Sequence, residues 1–207
     1  MNPFHFPDMV LASQSPRRAE LLRQIGVPFE VVLPLDPHAA EVLEAVLPDE
    51  LPLAYVQRVC RAKAQMMRLQ IAEHGSPEQQ NRPILCADTT VAFGDEVLGK
   101  PANAHEVHTM LNRLSGQTHQ VHTAVAIAWQ GAMMEQVVSS DVTFRPIMPE
   151  EIEAYIHSGE PFGKAGAYAI QGYGACFVAH LRGSFSAVKG LPIFEVAQML
   201  RALQNQA

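Results

Sequence analysis

Met-Val-Leu-Ala-Ser-Gln-Ser-Pro-Arg-Arg, residues 9–18, joins a short apolar strand directly to the start of a helix. Its first four residues are predicted to form the strand. Ser15-Pro16 then opens the helix, because serine is a favoured N-cap and proline a favoured first helical residue. The helix continues to Ile25 and ends at Gly26, and a second strand is predicted over residues 29–33. A strand, a helix and a further strand in succession are typical of an α/β protein.

The rest of the chain continues this alternation. The pattern predicts helices over residues 53 to about 73, 104–114, 149–157 and 191–203. It predicts strands over 83–87, 91–93, 97–98, 121–129, 137–144, 168–170 and 177–181, a loop or weak short helix over 34–51, and a polar linker over 74–82. Since the two long strands, 121–129 and 137–144, meet at Gly131, they form an antiparallel pair. The predicted fold class is therefore α/β, with a mixed β-sheet and flanking helices.

Length and composition indicate one globular domain and exclude several classes of protein. The 207 residues are 48% hydrophobic and 17% charged, and a chain of this size folds without a disulfide or metal staple. The 21 acidic and 15 basic residues give a net charge of −6. Proteins that bind nucleic acid polymers or anionic membranes usually carry a basic excess, so we expect neither partner. A small anionic ligand stays compatible, since a few cations can form a local positive pocket.

The cysteines and the apolar runs indicate a cytoplasmic protein. Cys60, Cys86 and Cys176 are odd in number, far apart and without a C-x-x-C pair, which favours neither a disulfide framework nor a zinc site. Each lies beside apolar residues, so we expect buried side chains that fill the core. Neither a signal peptide nor a membrane span is predicted, since the start is not basic and no run of 18 apolar residues occurs.

Two arginines occupy the first turn of the first helix. Arg17 and Arg18 are unfavourable there by a few tenths of a kcal/mol each, because the helix dipole is already positive at that end. An anion would remove the penalty. The strand, the serine-rich turn with Ser13, the exposed helical N–H groups and the two guanidinium groups together suit a phosphate group. A solvated surface pair explains the local pattern equally well.

Two further charged residues interrupt apolar patterns. Lys63 lies on the apolar stripe of the predicted helix 53–73, where it either extends its ammonium group to solvent or points into a cleft; the pattern alone slightly favours solvent. Asp88-Thr89-Thr90 follows the buried strand 83–87, and ligands of α/β sheets lie beyond strand ends. A carboxylate there can coordinate a metal or take a proton from water. A helix cap is the alternative, but no helix pattern follows.

The remaining sequence features are weaker indicators of a functional site when each is taken alone. Lys100 precedes Pro101, which keeps its backbone extended at a strand end. Residues 162–174 include Lys164 and four glycines, which allow close approach of the backbone to a ligand, although a plain glycine-rich turn has the same composition. Gln171 offers a donor and an acceptor, as a nucleobase edge requires. The nine histidines show no chelating arrangement, so structural or surface roles are predicted for them.

Taken in order, these features resemble the Maf family, the septum-formation-inhibitor-like nucleoside triphosphate pyrophosphatases. The resemblance covers residues 9 to about 203, and its motifs, modest individually, are specific when found together in this order. The matching segments are Leu11-Ala-Ser-Gln-Ser-Pro-Arg-Arg18, Tyr55-Val with Arg61-Ala-Lys-Ala64, Ala87-Asp-Thr89, Leu98-Gly-Lys-Pro101, Leu114-Ser-Gly-Gln-Thr-His119, Lys164-Ala-Gly-Ala-Tyr-Ala-Ile-Gln-Gly172 and Gly190-Leu-Pro192.

The resemblance implies a fold and an activity. The expected fold has two lobes around a central cleft, as in inosine triphosphate pyrophosphatases, so we expect residues 1–207 to form one Maf-like domain with 1–8 as an N-terminal extension. The expected enzyme is a hydrolase of phosphoric anhydride bonds that cuts a nucleoside triphosphate between its α and β phosphates. The products are a nucleoside monophosphate and pyrophosphate. The resemblance also implies a divalent metal cofactor, Mg²⁺ or Mn²⁺, a cytoplasmic location and a homodimer.

The resemblance also implies roles for individual residues. Asp88 corresponds to the general base that activates water, and it is also the expected metal ligand. The expected substrate-binding residues are Ser13, Arg17, Arg18, Lys63, Thr89, Lys100, Lys164 and Gln171. Of these, Arg17, Thr89 and Gln171 correspond to the positions that set substrate choice. The Gln171-Gly172 segment resembles the subgroup acting on dTTP and UTP, and modified pyrimidine nucleotides are compatible with the same site.

Two departures from the family pattern leave alternatives open. Gly163 stands where the family usually has Asp, and the acidic residues that assist the metal after the second strand have no direct counterpart in a longer loop. Asp36, Glu41 or Glu44 are the candidates for that acidic role. The alternatives are a catalytically weak nucleotide-binding regulator of cell division and septum formation, or a pyrophosphatase for purine or modified nucleotides.

Overall fold

The computed structural model describes residues 6–204 and forms one mixed sheet flanked by helices. Residues 1–5 of the predicted N-terminal extension lie outside the described residues, whereas Phe6 is buried in the core. The strands are β1 (Met9–Leu11), β2 (Phe29–Val31), β3 (Ile84–Phe93), β4 (Glu96–Leu98), β5 (Thr118–Trp129), β6 (Ala132–Phe144) and β7 (Val178–Arg182). The helices are α1 (Pro16–Gln24), α2 (Pro37–Val42), α3 (Pro52–His74), α4 (Pro77–Gln80), α5 (Ala104–Leu114), α6 (Pro149–His157), α7 (Phe185–Lys189) and α8 (Ile193–Gln204).

The sheet combines parallel and antiparallel pairs, as predicted. Its strand order is β2-β1-β3-β5-β6-β7, with β4 added to β3. The β1 strand is parallel to both β2 and β3, whereas β3, β5, β6 and β7 are successively antiparallel. The βα unit quoted at the outset therefore lies beside the long central strand β3.

Three clusters of buried side chains form the core around the long strands. One packs α1 and α8 against one face of β1, β3 and β5, and a second packs α3 against the opposite face. The third joins α5 and α6 to the other end of β3 and β5, around Val91 and Val121. The first two clusters therefore lie at one end of β3 and β5 and the third cluster at the other end, with the middle of β3 between them.

The central strand is longer than the sequence pattern predicted. Residues 83–87 and 91–93 were expected as separate strands, but Ile84–Phe93 is continuous. The cause is β5, which pairs with β3 from Ile84 to Ala92 and so keeps Asp88-Thr89-Thr90 extended. Asp88 is therefore in the middle of a strand, and the prediction that it follows a strand end is wrong.

Other local predictions also need correction. Residues 168–170 are buried but form no strand, and the amide of Ala169 donates to the Tyr155 hydroxyl (3.3 Å). The short helix α4 lies within the predicted linker 74–82, and α7 was not predicted, whereas α2 agrees with the short helix allowed for residues 34–51. Cys60 and Cys86 are buried as expected, but Cys176 is exposed. Within residues 6–204, every helix is too short or too polar to cross a membrane.

His119 is a buried titratable group that packs against aromatic residues of the third core cluster. Only 2% of the residue is exposed, and its ring packs edge-on against Phe144 and Tyr168. Nε2 lies 2.8 Å from the Tyr168 hydroxyl, whereas Nδ1 has no hydrogen-bond partner among the described residues. Burial lowers the pKa of His119 from 6.5 to about 4.

His119 should make the free energy of unfolding depend on pH. Because the folded pKa is lowered, the unfolded chain binds the proton more readily, so stability falls as the pH drops from about 6.5 toward 4. Between pH 7.5 and 4.5, the titration of His119 should lower the free energy of unfolding by about 2–3 kcal/mol. Urea denaturation of the wild type and of His119→Gln at both values measures the effect, since other titrating groups are common to both proteins. An equal loss of unfolding free energy in the wild type and in His119→Gln would contradict this role of His119.

Candidate active site

A gap in the sheet opens one edge of β3 to solvent. On that edge β1 pairs with Ile84 and Leu85, and β4 pairs with residues 91–93. No strand among residues 6–204 pairs with the intervening residues on this side, although β5 covers the opposite edge throughout. A cleft of about 790 Å³ lies at this gap, which is within the usual size range of small-molecule sites.

Successive side chains of β3 reach the two faces of the sheet at this gap. Cys86 and Asp88 share the face covered by α3, whereas Leu85, Ala87 and Thr89 share the face covered by α1. The cleft is therefore bordered by a carboxylate on one face and a hydroxyl on the other. One extended chain segment thus brings two different helices into one site.

A charged cluster of Glu44, Lys63, Asp88 and Lys100 lies on the α3 face. The ammonium of Lys63 donates to Asp88 Oδ1 (2.7 Å) and to Glu44 Oε1 (2.6 Å). Lys100 donates to the other oxygen of Glu44 at 2.7 Å. The Lys63 side chain is 19% exposed and points into the cleft, so the preference for an ammonium group extended to solvent is wrong.

The charged cluster stabilises the ionised forms of Lys63 and Glu44, although both side chains are partly buried. Burial alone would lower the pKa of Lys63, but the nearby carboxylates of Asp88 and Glu44 outweigh it and raise that pKa. Burial alone would raise the pKa of Glu44, but Lys63 and Lys100 together lower it. The arrangement therefore keeps the Lys63 ammonium and the Glu44 carboxylate charged next to an open cleft.

Of the three acidic candidates in the loop after β2, Glu44 belongs to the charged cluster. Asp36 instead caps α2 by accepting from the Ala39 amide (3.0 Å). Glu41 lines the cleft with an exposed side chain. The sequence pattern could not separate them, because the loop reaches the site only through contacts with α3 and with Lys100.

Arg18 is held on the α1 face by contacts from three parts of the chain. Its guanidinium donates to the Gly190 carbonyl (2.8 Å), to Ser13 Oγ (3.1 Å) and to Thr89 Oγ1 (3.4 Å). Thr89 Oγ1 lies 3.0 Å from Thr123 Oγ1, and Thr123 donates to the Ala187 carbonyl (2.7 Å). Because the Thr123 proton is used in this way, Thr89 donates to Thr123 and accepts from Arg18.

Arg17 and Lys164 are cations that face the cleft without a carboxylate. Among residues 6–204, no hydrogen bond or ion pair satisfies the Arg17 guanidinium, and burial together with the neighbouring Arg18 charge lowers its pKa. Lys164 donates to the Glu160 carbonyl (2.9 Å), and burial and the Arg17 charge lower its pKa. An anion bound between the two residues would relieve this repulsion.

The glycine-rich segment around Lys164 also lines the cleft. Gly166 has a φ of +65°, and a Cβ there would lie 2.8 Å from Val91, so only glycine fits. Its amide donates to the Gly99 carbonyl (3.0 Å), which joins the segment to the loop carrying Lys100. The buried side-chain oxygen of Gln171 has no hydrogen-bond partner among the described residues. An unpaired buried amide oxygen is costly, and a ligand donor would satisfy it.

All nine residues proposed from the sequence line this one cleft: Ser13, Arg17, Arg18, Lys63, Asp88, Thr89, Lys100, Lys164 and Gln171. Sequence reasoning missed Lys189, which also lines the cleft, pairs with Glu20 (2.9 Å) and has a side chain 9% exposed. In the sequence, the only indication that Lys189 belongs to the site was its position just before the matching segment that begins at Gly190. Within the described part of the chain, no group of three or more His, Cys, Asp or Glu residues is arranged to hold a metal.

Comparison with known proteins identifies similar sequences over nearly the whole chain. The family model described as Maf-like protein matches residues 8–203. The chain is 53% identical over 195 residues to a dTTP/UTP pyrophosphatase of Ralstonia nicotianae, which covers 94% of this chain and 93% of that protein. Proteins of the same name from Cupriavidus metallidurans and Burkholderia lata are 52% identical over 193 residues and 50% identical over 202 residues. These matches cover 93% and 97% of this chain, and 95% of each relative.

Removing the Lys63 charge should destabilise the protein strongly. Lys63→Met leaves the Asp88 and Glu44 carboxylates partly buried without their shared cation, which should lower the free energy of unfolding by about 3 kcal/mol. Arg61→Met is the matched control, because Arg61 lies on the same helix in an exposed pair with Glu135 (2.7 Å) and should cost less than about 1 kcal/mol. Denaturant titration at pH 7 measures both, and equal effects would contradict the shared-cation interpretation.

Proposed function

Because the chain belongs to the Maf family, we propose that it is a nucleoside triphosphate pyrophosphatase that hydrolyses dTTP and UTP. The reaction cuts between the α and β phosphates and releases a nucleoside monophosphate and pyrophosphate. The proposal depends chiefly on one observation: six cationic residues, five of them proposed from the sequence, and the Asp88 carboxylate line a single cleft at the open edge of β3. The names of the relatives at about 50% identity support the same activity.

The cations suit a triphosphate because they surround the cleft from several elements. Arg17 and Arg18 come from the start of α1, where helical N–H groups also favour an anion. Lys63, Lys100 and Lys164 reach the cleft from α3, from the loop after β4 and from the glycine-rich segment. Together they would neutralise the substrate and the negative charge that develops on the leaving pyrophosphate.

Asp88 is the group best suited to activate water. Its Oδ1 is bound by Lys63, while Oδ2 has no hydrogen bond to any of residues 6–204. In the proposed step Oδ2 accepts a proton from water as the water oxygen bonds to the α phosphorus. The bond between the α phosphorus and the bridging oxygen breaks, and the electron pair leaves with pyrophosphate. Lys63 orients the carboxylate throughout this step.

A divalent cation fits the acidic side of the cleft. Mg²⁺ is usually held by one or two carboxylates together with substrate phosphates, and Asp88 and Glu44 provide two carboxylates on either side of one ammonium group. We propose these two residues as the holders of Mg²⁺ or Mn²⁺. Such an ion supplies further neutralisation of phosphate charge. Because only two protein carboxylates are proposed as ligands, substrate phosphates would have to provide much of the binding of the ion.

The glycine-rich segment is the proposed contact for the base. The unpaired amide oxygen of Gln171 can accept the N3–H of thymine or uracil, and its NH₂ group can donate to O4 of the same ring. Thr89 affects substrate choice indirectly in this proposal, because its hydroxyl is already bonded to Arg18 and Thr123. Arg17, free of protein partners among residues 6–204, would contact the phosphate end of the nucleotide. Modified pyrimidines that keep N3–H and O4 remain candidate substrates.

The expected setting of the enzyme remains part of this proposal. We expect a homodimer located in the cytoplasm, where nucleotide substrates occur and three free cysteines remain reduced. No polymeric nucleic acid or membrane is expected as a partner, in keeping with the net charge of −6.

A catalytically weak, nucleotide-binding regulator of cell division is the second candidate. Gly163 favours it, because this cleft residue provides no carboxylate where the family usually has Asp. Its φ of +70° would strain another residue, although a Cβ there would meet nothing within 4 Å. Glu44 weakens this candidate, since it provides an acidic group beside Asp88 that the sequence pattern left unassigned.

Purified protein should release pyrophosphate from dTTP and UTP with Mg²⁺ or Mn²⁺ in a panel of nucleoside triphosphates. Asp88→Asn should lower kcat at least about 100-fold, because the amide cannot accept the proton from water. Asp95→Asn is the matched control, since Asp95 lies exposed in the turn after the same strand and should keep the wild-type rate.

The outcomes separate the candidate functions. If no nucleotide in the panel is cleaved, the proposed pyrophosphatase activity is contradicted. Tight nucleotide binding without turnover would favour the regulator of cell division. Preferential cleavage of purine nucleotides would favour the alternative of a pyrophosphatase for purine or modified nucleotides. A full rate for Asp88→Asn with an intact fold would exclude Asp88 as the base.

Gln171→Glu should change the choice of base. A carboxylate offers only acceptors, so it should repel O4 of uracil but accept from the N4 amino group of cytosine. We expect kcat/KM for UTP to fall about 10-fold or more, and the ratio of CTP to UTP activity to rise. Steady-state kinetics with dTTP, UTP, CTP and GTP measure the change. An equal loss on all four nucleotides would contradict a contact between Gln171 and the base.

A further inference from the structure

The backbone around Glu44 is held by side chains of α3. Arg58 donates to the Leu43 carbonyl from Nη1 (3.0 Å) and to the Ala45 carbonyl from Nη2 (2.8 Å). The Tyr55 hydroxyl donates to the carbonyl of Glu44 itself at 3.0 Å. Three successive carbonyl groups, centred on Glu44, are thus bound by two residues of one helix.

Glu50 fixes the same guanidinium from the other side. Its carboxylate accepts from Arg58 Nε (2.6 Å) and Nη2 (2.8 Å), and its Oε2 also accepts from the Leu47 amide (3.2 Å). The Glu50 side chain is only 9% exposed. The Arg58 hydrogen bonds lower the pKa of the Glu50 carboxyl, so the pair is charged at neutral pH. Arg58 and Glu50 therefore close residues 43–50 into one hydrogen-bonded unit.

Apolar packing contributes little to residues 43–50, where Leu43 is half-buried and the other large apolar side chains are exposed. No residue of α2, which precedes it, is buried. The apolar side chains of Val42, Val46 and Leu47 are 59%, 51% and 50% exposed. The backbone around Glu44 must be held in place by other contacts. The hydrogen bonds from Tyr55 and Arg58 to the carbonyl groups of residues 43–45 are such contacts.

We propose that Arg58 is a positioning residue that keeps the Glu44 carboxylate beside Asp88, Lys63 and Lys100. The inference depends on the proposed function, because Glu44 matters there as an acidic group of the metal and triphosphate site. Arg58 itself does not line the cleft, so it acts through the backbone at residues 43–45.

The planar guanidinium is essential to this role. Arg58 serves two carbonyl groups and both carboxylate oxygens at once through three nitrogens. A lysine keeps the charge but has one small ammonium group, which cannot reach all these acceptors together. Arg58→Lys therefore removes the fixed geometry while it preserves net charge.

Arg58→Lys, with Arg61→Lys as matched control, separates positioning from a general effect of the substitution. Arg61 lies on the same helix and makes a two-contact pair with Glu135 (2.7 Å each), away from residues 43–50. Glu50→Gln is a second variant that weakens the same contact from the loop side. Thermal melts establish that each variant is folded before comparison.

Two measurements are made on each protein. Hydrogen–deuterium exchange without metal or nucleotide reports the order of the segment. The amides of Leu47 and Glu50 donate to each other's residue within it, and those of Glu44 and Ala45 donate to the carbonyl groups at positions 41 and 42, just before it. The Mn²⁺ concentration for half-maximal pyrophosphate release reports the effect on Glu44. Arg58→Lys and Glu50→Gln should speed exchange at 43–50, and Arg58→Lys should raise that concentration about 10-fold or more. Arg61→Lys should leave both within about 2-fold of wild type.

Unchanged exchange at 43–50 in Arg58→Lys, or an unchanged Mn²⁺ requirement, would overturn the proposal. A uniform increase in exchange over the whole of α3 would also overturn it, because that result indicates general destabilisation. If the wild type cleaves no nucleotide, the proposed function fails, whereas the exchange comparison still tests whether Arg58 orders the segment around Glu44.

Discussion

The ammonium of Lys63, held between Asp88 and Glu44, is the interaction on which the rest of the site depends. Two carboxylates facing one partly buried cleft repel each other unless a cation lies between them. Lys63 provides that cation from α3, and Lys100 adds a second contact to Glu44. The same contacts fix the approach of α3, of the loop after β2 and of the loop after β4 to the open edge of β3. The site is therefore assembled by charge pairing among four separate segments, β3 and the three that approach it.

The open edge of β3 explains how one site combines opposite charges without collapse into a continuous ion-pair network. The strand directs Asp88 to one face and Thr89 to the other, so the carboxylates gather beside α3 and the arginines beside α1. Arg17 stays free of protein carboxylates among the described residues. A triphosphate that crosses the edge of the strand would meet the two arginines on one side, and on the other Lys63 and Lys100 together with the proposed metal holders.

The sequence predicted most of the residues of the cleft but few of the contacts among them. Arg17 and Arg18 were recognisable because positive charge in a helical first turn is locally unfavourable. Asp88 was singled out because it was predicted to follow a strand end, although the strand continues through it. The orientation of Lys63 was mispredicted because its carboxylate partners lie 19 and 25 residues away. Pairing with β5 made β3 continuous, which no local pattern encodes. The roles of Glu44 and Arg58 depend on the folded path of a loop whose composition is compatible with many conformations.

Hydrolysis of dTTP in ¹⁸O-labelled water tests the central claim most directly, since the claim is that this cleft directs a water molecule at the α phosphorus. The account predicts that one ¹⁸O atom per turnover appears in the phosphate of dTMP and none in pyrophosphate, as mass spectrometry of both products would record. Label in pyrophosphate, or release of inorganic phosphate that carries it, would contradict the account, because the water would then have attacked the β or γ phosphorus.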